Sequence, residues 1–364
     1  MLVQVAPLRT LITAIFVEAG CPDDEAERIA YFLSKANLTG HDSHGVIRVP
    51  RYVEWLGTGR VRAGQHVETL VDTPAITLLD GKHGFGQTVG PEACRIGIDK
   101  ALANGVAVVA LRNAGHLGRI GDFAESAVEA GLVSIHFVNV HSSLLVAPFG
   151  GADRRTSTNP IAIGVPTSDG KPFILDFATS MVAEGKVLVA RQGGKPVPGD
   201  ALISPEGRMT NDPDVLYGPG PDPGSPDPTK GPGAMRTFGE HKGSGLSLAC
   251  DLLAGALGGS GANCGEVGLF HNGMLSIYLD PKMFGGEQQL RDEAQRYVDY
   301  MRSSRPADPA APVMVPGDKE RKLEAERTRD GIPLPDHTWN AILGAARSAG
   351  LSDTRIDELL GKAA

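Results

Sequence analysis

The feature that most constrains the fold is a buried strand predicted at 106–111, where six apolar residues follow one another without a polar interruption. Runs of this length and composition are typical of strands that are covered on both faces. Residues 132–140 predict a second buried strand, and the segment 122–130 between the two predicts a helix. Buried strands joined through a helix predict an α/β fold in this part of the 364-residue chain.

The segment 40–52 carries a high density of chemically active side chains between two predicted helices. Imidazole exchanges a proton near neutral pH, and the hydroxyl of Ser43 beside His44 could orient the ring or relay its proton. Arg48, four residues beyond His44, offers a planar fork that matches a carboxylate. This combination suits a 2-hydroxy or 2-oxo acid. The alternative is that His44 is a loop or helix-cap residue and that Arg48 is solvated.

A glycine-rich turn at 112–121 follows the first strand and contains His116 between Gly115 and Gly118. The glycines allow a ligand to approach the backbone closely, and the N-terminus of the following helix favours an anion such as a pyrophosphate. The turn is therefore a candidate ligand-binding site. The alternative is that His116 only caps the helix.

The glycines at 84–90 are similar to a Rossmann fingerprint, but they depart from it in two ways. One residue too many separates the second and third glycines, and no acidic residue closes a following strand at the expected distance. We therefore expect no Rossmann loop here. A strand predicted at 172–176 ends on Asp176, which could hold a ribose hydroxyl and so favour NAD over NADP, or could cap a helix.

Composition excludes several classes of protein. The net charge of -8 argues against a nucleic-acid partner or an anionic membrane, because both require a basic surface. The four cysteines are far apart and form no CxxC pair, so a reducing cytoplasm fits better than a disulfide framework. The apolar run at 11–17 is too short to span a bilayer and lacks a signal-peptide cleavage pattern. We expect a soluble cytoplasmic protein.

Two further segments give predictions that bear on the site. Residues 211–236 are dense in Pro, Gly and Asp, and they predict a long surface loop without regular structure. This composition favours a solvated excursion over a catalytic lid. Trp55, in a short helix after Pro50, is predicted to belong to the core.

Short motifs are spread along nearly the whole chain. They are Asp42-Ser43-His44-Gly45, Gly115-His116-Leu117-Gly118-Arg119, Thr158-Asn159-Pro160, Leu175-Asp176-Phe177-Ala178-Thr179-Ser180, Gly185-Lys186, Glu240-His241-Lys242-Gly243 and Pro316-Gly317. In this order they resemble the malate/L-lactate dehydrogenase type 2 family, which contains non-Rossmann oxidoreductases of 2-hydroxyacids and imine acids. Within that family the chain resembles the hydroxycarboxylate dehydrogenase B group, as the tail at 331–334 also suggests.

The resemblance implies an α/β protein with a non-Rossmann NAD-binding fold, mixed β-sheet domains and packed N- and C-terminal helices. It implies a helical segment with the catalytic loop at 1–70 and the first part of an α/β domain at 71–120. A cofactor-binding α/β domain at 121–285, which contains the loop 211–236, and a helical segment at 286–364 follow. It also implies a homodimer.

The resemblance also assigns candidate site residues. Ser43, His44 and His116 match catalytic positions, with Lys186 as a further candidate. Arg48, Tyr52 and His116 match positions near the substrate. The matches to positions that line NAD are His44, Gly118, Arg119, Ile120, Ile174, Leu175, Asp176, Phe177, Ala178, His241, Asn272, Gly317, Asp318, Lys319 and Glu320. Relatives differ over whether the first or the second histidine transfers the proton, and Lys186 or Glu184 lies near the third member of a proposed relay.

These observations predict an oxidoreductase that moves a hydride between NAD(H), or NADP(H), and C2 of a small 2-hydroxy/2-oxo acid. Reduction of a cyclic imine-2-carboxylate with NAD(P)H is an alternative of the same class. A metal-dependent hydrolase using His41, His44, His116 and an aspartate is a rival of another class, although no HExxH-type pair is present. A non-catalytic ligand-binding protein is disfavoured, because both histidines and Arg48 are present.

Overall fold

A seven-stranded mixed sheet lies at the centre of the computed structural model, which describes residues 1–193, 195–220, 227–265 and 268–361. The strands are β1 (Leu2–Val3), β2 (Glu68–Asp72), β3 (Ile76–Asp80), β4 (Val106–Ala114), β5 (Val133–His141), β6 (Ile161–Val165), β7 (Phe173–Phe177), β8 (Leu202–Ile203), β9 (Met209–Thr210), β10 (Ala234–Met235), β11 (His271–Leu279) and β12 (Ile332–Pro333). The helices are α1 (Val5–Glu18), α2 (Asp23–Leu38), α3 (Val49–Gly57), α4 (Gly86–Asn104), α5 (Gly121–Glu129), α6 (Glu184–Arg191), α7 (Asp214–Tyr217), α8 (His241–Cys250), α9 (Glu287–Arg302), α10 (Asp318–Asp330), α11 (Asp336–Ala349) and α12 (Asp353–Leu359). A π-helical segment, Asp251–Leu257, continues α8.

The central sheet has the strand order β2-β3-β4-β11-β5-β6-β7. Strands β3 and β4 run parallel, and every other neighbouring pair in this described sheet is antiparallel. Strand β11 comes late in the chain and inserts between β4 and β5, where Leu275 is in register with Ala110 and Phe137. The predicted boundary at residue 120 falls between β4 and α5, and strands from both sides of it share this sheet. The predicted α/β class with a mixed sheet is confirmed.

The two ends of the chain pack together in a helical layer. Strand β1 pairs with β12, and α1 contacts both α11 and α12. Five side chains on one face of α1, spaced by three or four residues, are fully buried: Leu8, Leu11, Ile12, Ile15 and Phe16. Burial of each contributes about 1.5–3 kcal/mol before chain entropy is counted. The predicted packing of the terminal helices is confirmed.

A buried ion cluster joins this helical layer to the sheet layer. The Nζ atom of Lys35, on α2, lies 3.1 Å from Asp122 Oδ1 and 2.7 Å from Glu125 Oε2, both on α5. Arg119 donates to the same two carboxylates, at 2.9 Å to Asp122 and 2.7 Å to Glu125. Burial disfavours the charge on Lys35, but the two carboxylates outweigh it and raise the lysine pKa. The two layers therefore meet next to the turn that carries His116.

Residues 84–90 form the start of a helix. Helix α4 begins at Gly86, five residues before the predicted start at Pro91. Pro91 therefore lies inside the helix, where it cannot donate a backbone hydrogen bond to the carbonyl of Gln87 four residues back. The stretch is not a Rossmann loop, as expected.

The prediction for 211–236 is wrong for the part that the structure describes. This part contains α7 and β10, and residues 221–226 lie outside the described residues. The guanidinium of Arg154 binds four backbone carbonyls of the segment, at Leu216, Pro228, Gly231 and Gly233, over 2.6–3.2 Å. Leu216 and Tyr217 belong to a small hydrophobic core with Val187 and Met235. Long-range anchoring therefore orders a composition that locally favours a loop.

Two other features agree with the sequence. No helix among the described residues is long and apolar enough to cross a membrane. All four cysteines are free; Cys21, Cys94 and Cys250 are buried and Cys264 is exposed.

Candidate active site

The loop that carries Ser43 and His44 is fixed by Asn37 at the end of α2. The Asn37 Oδ1 atom accepts from the backbone amide of Val46 at 2.7 Å, and Nδ2 donates to Asp42 at 2.7 Å. The N-terminus of α6 packs against the other side of the loop, where a Cβ at Gly185 would lie only 2.6 Å from the Cβ of Ser43. Close packing on both sides therefore holds this loop in one conformation.

The turn that carries His116 is held by α4 and β11. A Cβ at Gly86 would collide with the carbonyl oxygen of His116, so this contact requires glycine. The next residue, Gln87, donates its side-chain amide to the same carbonyl at 3.2 Å. From β11, Asn272 Oδ1 accepts from the amide of Leu117 at 2.9 Å. Two separate elements thus fix the direction in which His116 points.

The rings of His44 and His116 stack on each other in one large cavity. Their centroids are 5.5 Å apart and their planes differ by 10°. The Oγ atom of Ser43 lies 3.0 Å from His44 Nδ1. The hydroxyl of Tyr52 lies 2.6 Å from His116 Nδ1 and accepts from Gln87 at 3.4 Å. If the Tyr52 hydroxyl donates to Nδ1, the neutral His116 ring carries its proton on Nε2.

Arg48 lines the same cavity and is held along one edge. Its Nε atom donates to the carbonyl of Ser43 at 2.6 Å, and Nη2 lies 3.4 Å from Glu184 Oε2. The Nη1 atom has no partner among the described residues. A guanidinium held in this way keeps donors available for a second carboxylate.

The histidines are strongly biased toward their neutral forms. Burial, reinforced by the positive charge of Arg48, lowers the pKa of His44 to about 3 and lowers the pKa of His116 well below its ordinary value. Burial raises the pKa of Tyr52 to about 12, so its hydroxyl remains a donor. Burial and the nearby Lys319 and Lys195 lower the pKa of Lys186. A bound anion would reduce the repulsion that Arg48 exerts on the protonated forms of His44 and His116.

Two aromatic side chains form a wall beside the histidines. Trp55 and Phe270 lie with ring centroids 4.7 Å apart, and Phe270 lies 6.3 Å from His116. Both line the cavity. The prediction that Trp55 belongs to the core is therefore incomplete, because one side of this half-buried ring packs on Tyr52 and the rest faces the site.

The cavity has a volume of about 2030 Å³ and gathers most of the candidate residues. Those that line it are Ser43, His44, Arg48, His116, Gly118, Arg119, Ile120, Leu175, Asp176, Phe177, Ala178, Lys186, Lys319 and Glu320. Asp176 Oδ2 accepts from the Gly121 amide at 2.8 Å, so its carboxylate also caps α5. Three lysines, Lys186, Lys195 and Lys319, are on the lining, and none has a carboxylate partner in the part of the chain that is described.

Five other candidates lie behind the lining of the cavity or away from it. Ile174 is buried in the sheet core, and Asn272 is buried against the His116 turn. Gly317 caps α10, and the Asp318 carboxylate pairs with Arg302 and Arg321. The exposed His241 contacts the ring of Phe149 at 5.9 Å. These residues support the surroundings of the cavity and do not line it.

A metal centre was the rival interpretation of the histidines. His41 Nε2 lies 3.6 Å from Glu320 Oε1 and is not part of the stacked pair of rings. Among the described residues, no three His, Cys, Asp or Glu side chains are grouped so that they could hold a metal ion.

Sequence reasoning missed four residues that shape the site. Gln87, Tyr217, Trp55 and Phe270 contact or face it, and Glu184 was considered only as a relay member. Gln87 lies in the glycine-rich stretch 84–90, whose only predicted role was the Rossmann loop that its spacing does not match. Tyr217 and Phe270 have no local signal, because tertiary contacts alone bring them to the cavity.

Comparison with known proteins identifies the class and then the family. A family model described as malate/L-lactate dehydrogenase matches residues 3–343. Hydroxycarboxylate dehydrogenase B of Escherichia coli (strain K12) is 38% identical over 352 residues, covering 95% of this chain and 94% of that protein. Sulfolactate dehydrogenase from Methanocaldococcus jannaschii is 29% identical with a TM-score of 0.84, covering 98% of this chain and 99% of that one. The structure of delta1-piperideine-2-carboxylate reductase from Pseudomonas syringae pvar. tomato is 28% identical with a TM-score of 0.79, covering 95% and 99%.

The mixed-sheet fold is thus shared with a group of oxidoreductases. The chain belongs to the malate/L-lactate dehydrogenase family. The resemblance read from the sequence motifs, including the likeness to hydroxycarboxylate dehydrogenase B, is confirmed.

Proposed function

We propose that this protein is an NAD(H)-dependent oxidoreductase that interconverts a small 2-hydroxy acid and its 2-oxo acid. The observation that supports this most directly is the convergence of His44, His116 and Arg48 on one cavity. A proton-transfer group beside a carboxylate clamp is what this substrate class requires. Membership of a family whose matched relatives are named as dehydrogenases supports the same reaction class.

Arg48 is the residue proposed to hold the substrate carboxylate. Its unpaired Nη1 and the free side of Nη2 offer two parallel donors to the two carboxylate oxygens. A carboxylate bound there brings the adjacent C2 oxygen toward the stacked imidazoles. Binding also partly neutralises Arg48, which makes protonation of a histidine more favourable.

The stacked histidines are proposed to handle the proton at the C2 oxygen. In the reducing direction that oxygen gains negative charge, and an N–H within hydrogen-bond reach stabilises the charge before the proton is delivered. Tyr52 fixes one nitrogen of His116 at 2.6 Å, and Ser43 lies 3.0 Å from one nitrogen of His44. Both hydroxyls therefore orient a ring, so that the remaining nitrogen can serve the substrate.

The cavity also fits a nicotinamide dinucleotide beside the acid. Its volume of about 2030 Å³ exceeds what a small acid needs, and three unpaired lysines on its lining complement phosphate groups. Gly118, Ile120, Leu175–Ala178, Lys319 and Glu320 would form the cofactor wall. When bound, the nicotinamide supplies or accepts the hydride. The Asp176 carboxylate accepts a hydrogen bond from the Gly121 amide, so its negative charge is a weaker argument for NAD over NADP. NADP(H) is therefore the alternative cofactor.

The cellular compartment and the oligomeric state that we propose are those predicted from the sequence. Four free cysteines suit a reducing cytoplasm, and family resemblance suggests a homodimer. Light scattering on the purified protein at several concentrations would test the dimer.

Reduction of a cyclic imine-2-carboxylate is a second candidate, because a solved relative with 28% identity is named as delta1-piperideine-2-carboxylate reductase. The same clamp would hold the carboxylate, and the proton would go to nitrogen in place of oxygen. The deciding experiment is a panel of 2-oxo acids and a cyclic imine carboxylate, each assayed with NADH and with NADPH by absorbance. Oxidation of NADH by 2-oxo acids supports the main proposal, and oxidation of NADPH alone supports the same reaction with the alternative cofactor. Turnover restricted to the imine supports the second, and turnover of neither rejects both.

A further inference from the structure

The segment that contains Tyr217 is anchored by two arginines, and its residues Asp227 to Thr229 line the cavity. Arg154 binds four of its carbonyl oxygens, and Arg191 binds the Asp214 carboxylate at 2.8 Å and the Gly218 carbonyl at 2.7 Å. The Arg191 guanidinium also lies 5.3 Å from the centre of the Tyr217 ring. Nothing in the proton or hydride chemistry requires this anchoring, so it calls for another explanation.

Tyr217 connects the segment to Arg48 through one carboxylate. Its ring is 1% exposed, and its hydroxyl donates to Glu184 Oε1 at 2.5 Å. The other oxygen, Glu184 Oε2, faces Arg48 Nη2 at 3.4 Å. Both side chains of the ion pair are mostly buried, with exposures of 16% for Arg48 and 11% for Glu184. The carboxylate therefore reaches Arg48 with one oxygen, over a long contact.

An arginine and a carboxylate that are free to choose prefer two parallel hydrogen bonds. A two-point pair between Arg48 and Glu184 would occupy donors that the substrate needs. The hydroxyl of Tyr217 prevents this because it holds Glu184 Oε1 in place. Burial and the neighbouring Glu184 raise the pKa of Tyr217, so the hydroxyl keeps its proton throughout the working pH range.

We propose that Tyr217 is a positioning residue for the substrate carboxylate: it restrains Glu184 to a one-point contact and so keeps the outer edge of Arg48 available. This inference rests on the proposed role of Arg48. It gives the segment around α7 a function in substrate affinity, and it predicts that this function operates only through Glu184.

The test is Tyr217→Phe, which removes one oxygen and leaves the buried ring. Because a single hydrogen bond is at stake, KM for the 2-oxo acid should rise about three- to tenfold. The dissociation constant of oxamate, an unreactive analogue of a 2-oxo acid, should rise by the same factor in calorimetry with the cofactor present. The turnover number and the dissociation constant of NADH should stay within about twofold. Tyr297→Phe, at a side chain that is 61% exposed, is the matched control and should change none of these.

A double-variant cycle separates positioning from a general structural effect. In a Glu184→Gln background, Tyr217→Phe should change oxamate affinity by less than about twofold, because the charge that the hydroxyl restrains is gone. Equal losses in both backgrounds would overturn the proposal, as would wild-type KM and oxamate affinity in Tyr217→Phe.

The readouts also distinguish this inference from the proposed function. A wild-type protein that binds no oxamate and reduces no 2-oxo acid would reject the proposed function, and the Tyr217 role with it. A wild-type protein that does both, paired with an unaltered Tyr217→Phe variant, would reject the Tyr217 role alone.

Discussion

The imidazole rings of His44 and His116 lie parallel, with centroids 5.5 Å apart and an angle of 10° between their planes. His44 follows α2 and His116 follows β4. The stacking of the two rings therefore depends on how the helical layer packs against the sheet. Two imidazolium ions at this separation repel each other, which favours at most one proton on the pair. The pair therefore behaves as one proton-handling unit.

Replacement of either histidine should remove most of the turnover. We expect His44→Ala and His116→Ala each to lower kcat roughly a hundredfold to ten-thousandfold, the usual contribution of a general acid. NADH binding, followed by fluorescence, should persist in both. His66→Ala is the matched control, since that side chain is 62% exposed and lies on the surface. Near-normal kcat in both site variants would contradict the proposed proton transfer by His44 and His116.

Tyr52→Phe should reduce turnover by about tenfold, since it deletes the hydrogen bond that orients the His116 ring. The buried ring is kept, so the free energy of unfolding in urea should fall by no more than about 1.5 kcal/mol. Steady-state kinetics of Tyr52→Phe and of the exposed Tyr300→Phe would check this. Equal kcat values for the two variants would show that the hydroxyl does not orient His116.

Arg48→Lys should raise KM for the acid, because a point charge replaces a planar fork. The hydrogen bond from Nε to the Ser43 carbonyl is also lost, so the loop with His44 loses one support. We expect a larger change in KM for the acid than in KM for NADH. Arg95→Lys, on an exposed helix position, serves as the control. If KM for the acid stays unchanged, the carboxylate is held elsewhere.

Binding of a 2-oxo acid or oxamate should be coupled to proton uptake. In the free protein, burial and Arg48 lower the pKa of His44 to about 3, so the ring is neutral at pH 7. An anion on Arg48 offsets the positive field and raises that pKa. Because burial, the larger cause of the low pKa, is unchanged by the anion, uptake should be small at pH 7 and grow as the pH falls. Calorimetry in two buffers with different ionisation enthalpies measures it, and proton release on binding would contradict the assignment.

A third buried histidine should make the fold sensitive to acid. His136 is fully buried between the hydroxyls of Ser134 and Ser276, and burial lowers its pKa to about 3. The unfolded chain binds a proton near pH 6.5 and the folded chain does not, so stability falls as the pH drops from 6.5 toward 3. The loss from one such group is up to about 1.4 kcal/mol per pH unit.

The variant His136→Gln should therefore have a shallower dependence of unfolding free energy on pH between 6.5 and 4. Urea titrations at four pH values would measure the two slopes. Parallel curves for the variant and the wild type would mean that His136 is not held neutral.

Local pattern was enough to predict the elements that carry the catalytic candidates. The apolar run at 106–111 predicted β4, and the glycines after it predicted the turn with His116. Hydrophobic periodicity records which faces are buried, and so it predicts a strand or a helix near its true position. It does not record strand order, which is why the insertion of β11 between β4 and β5 was not predictable.

The misjudged parts of the site depend on contacts between distant segments. Proline and glycine predict a loop locally, yet the carbonyls at 216–233 are collected by Arg154, more than sixty residues away. Phe270 reaches His116 only because β11 returns to the middle of the sheet. Resemblance to a family supplied fourteen of the residues that line the cavity, while Gln87, Tyr217 and Phe270 required the three-dimensional structure.

The docking of the helical layer through Lys35 has a consequence for how activity can be lost. His44 belongs to that layer, and His116 belongs to the sheet. A slight slip between the layers would misalign the rings while both hydrophobic cores stay intact. We therefore expect inactivation and unfolding to be separable events in this architecture.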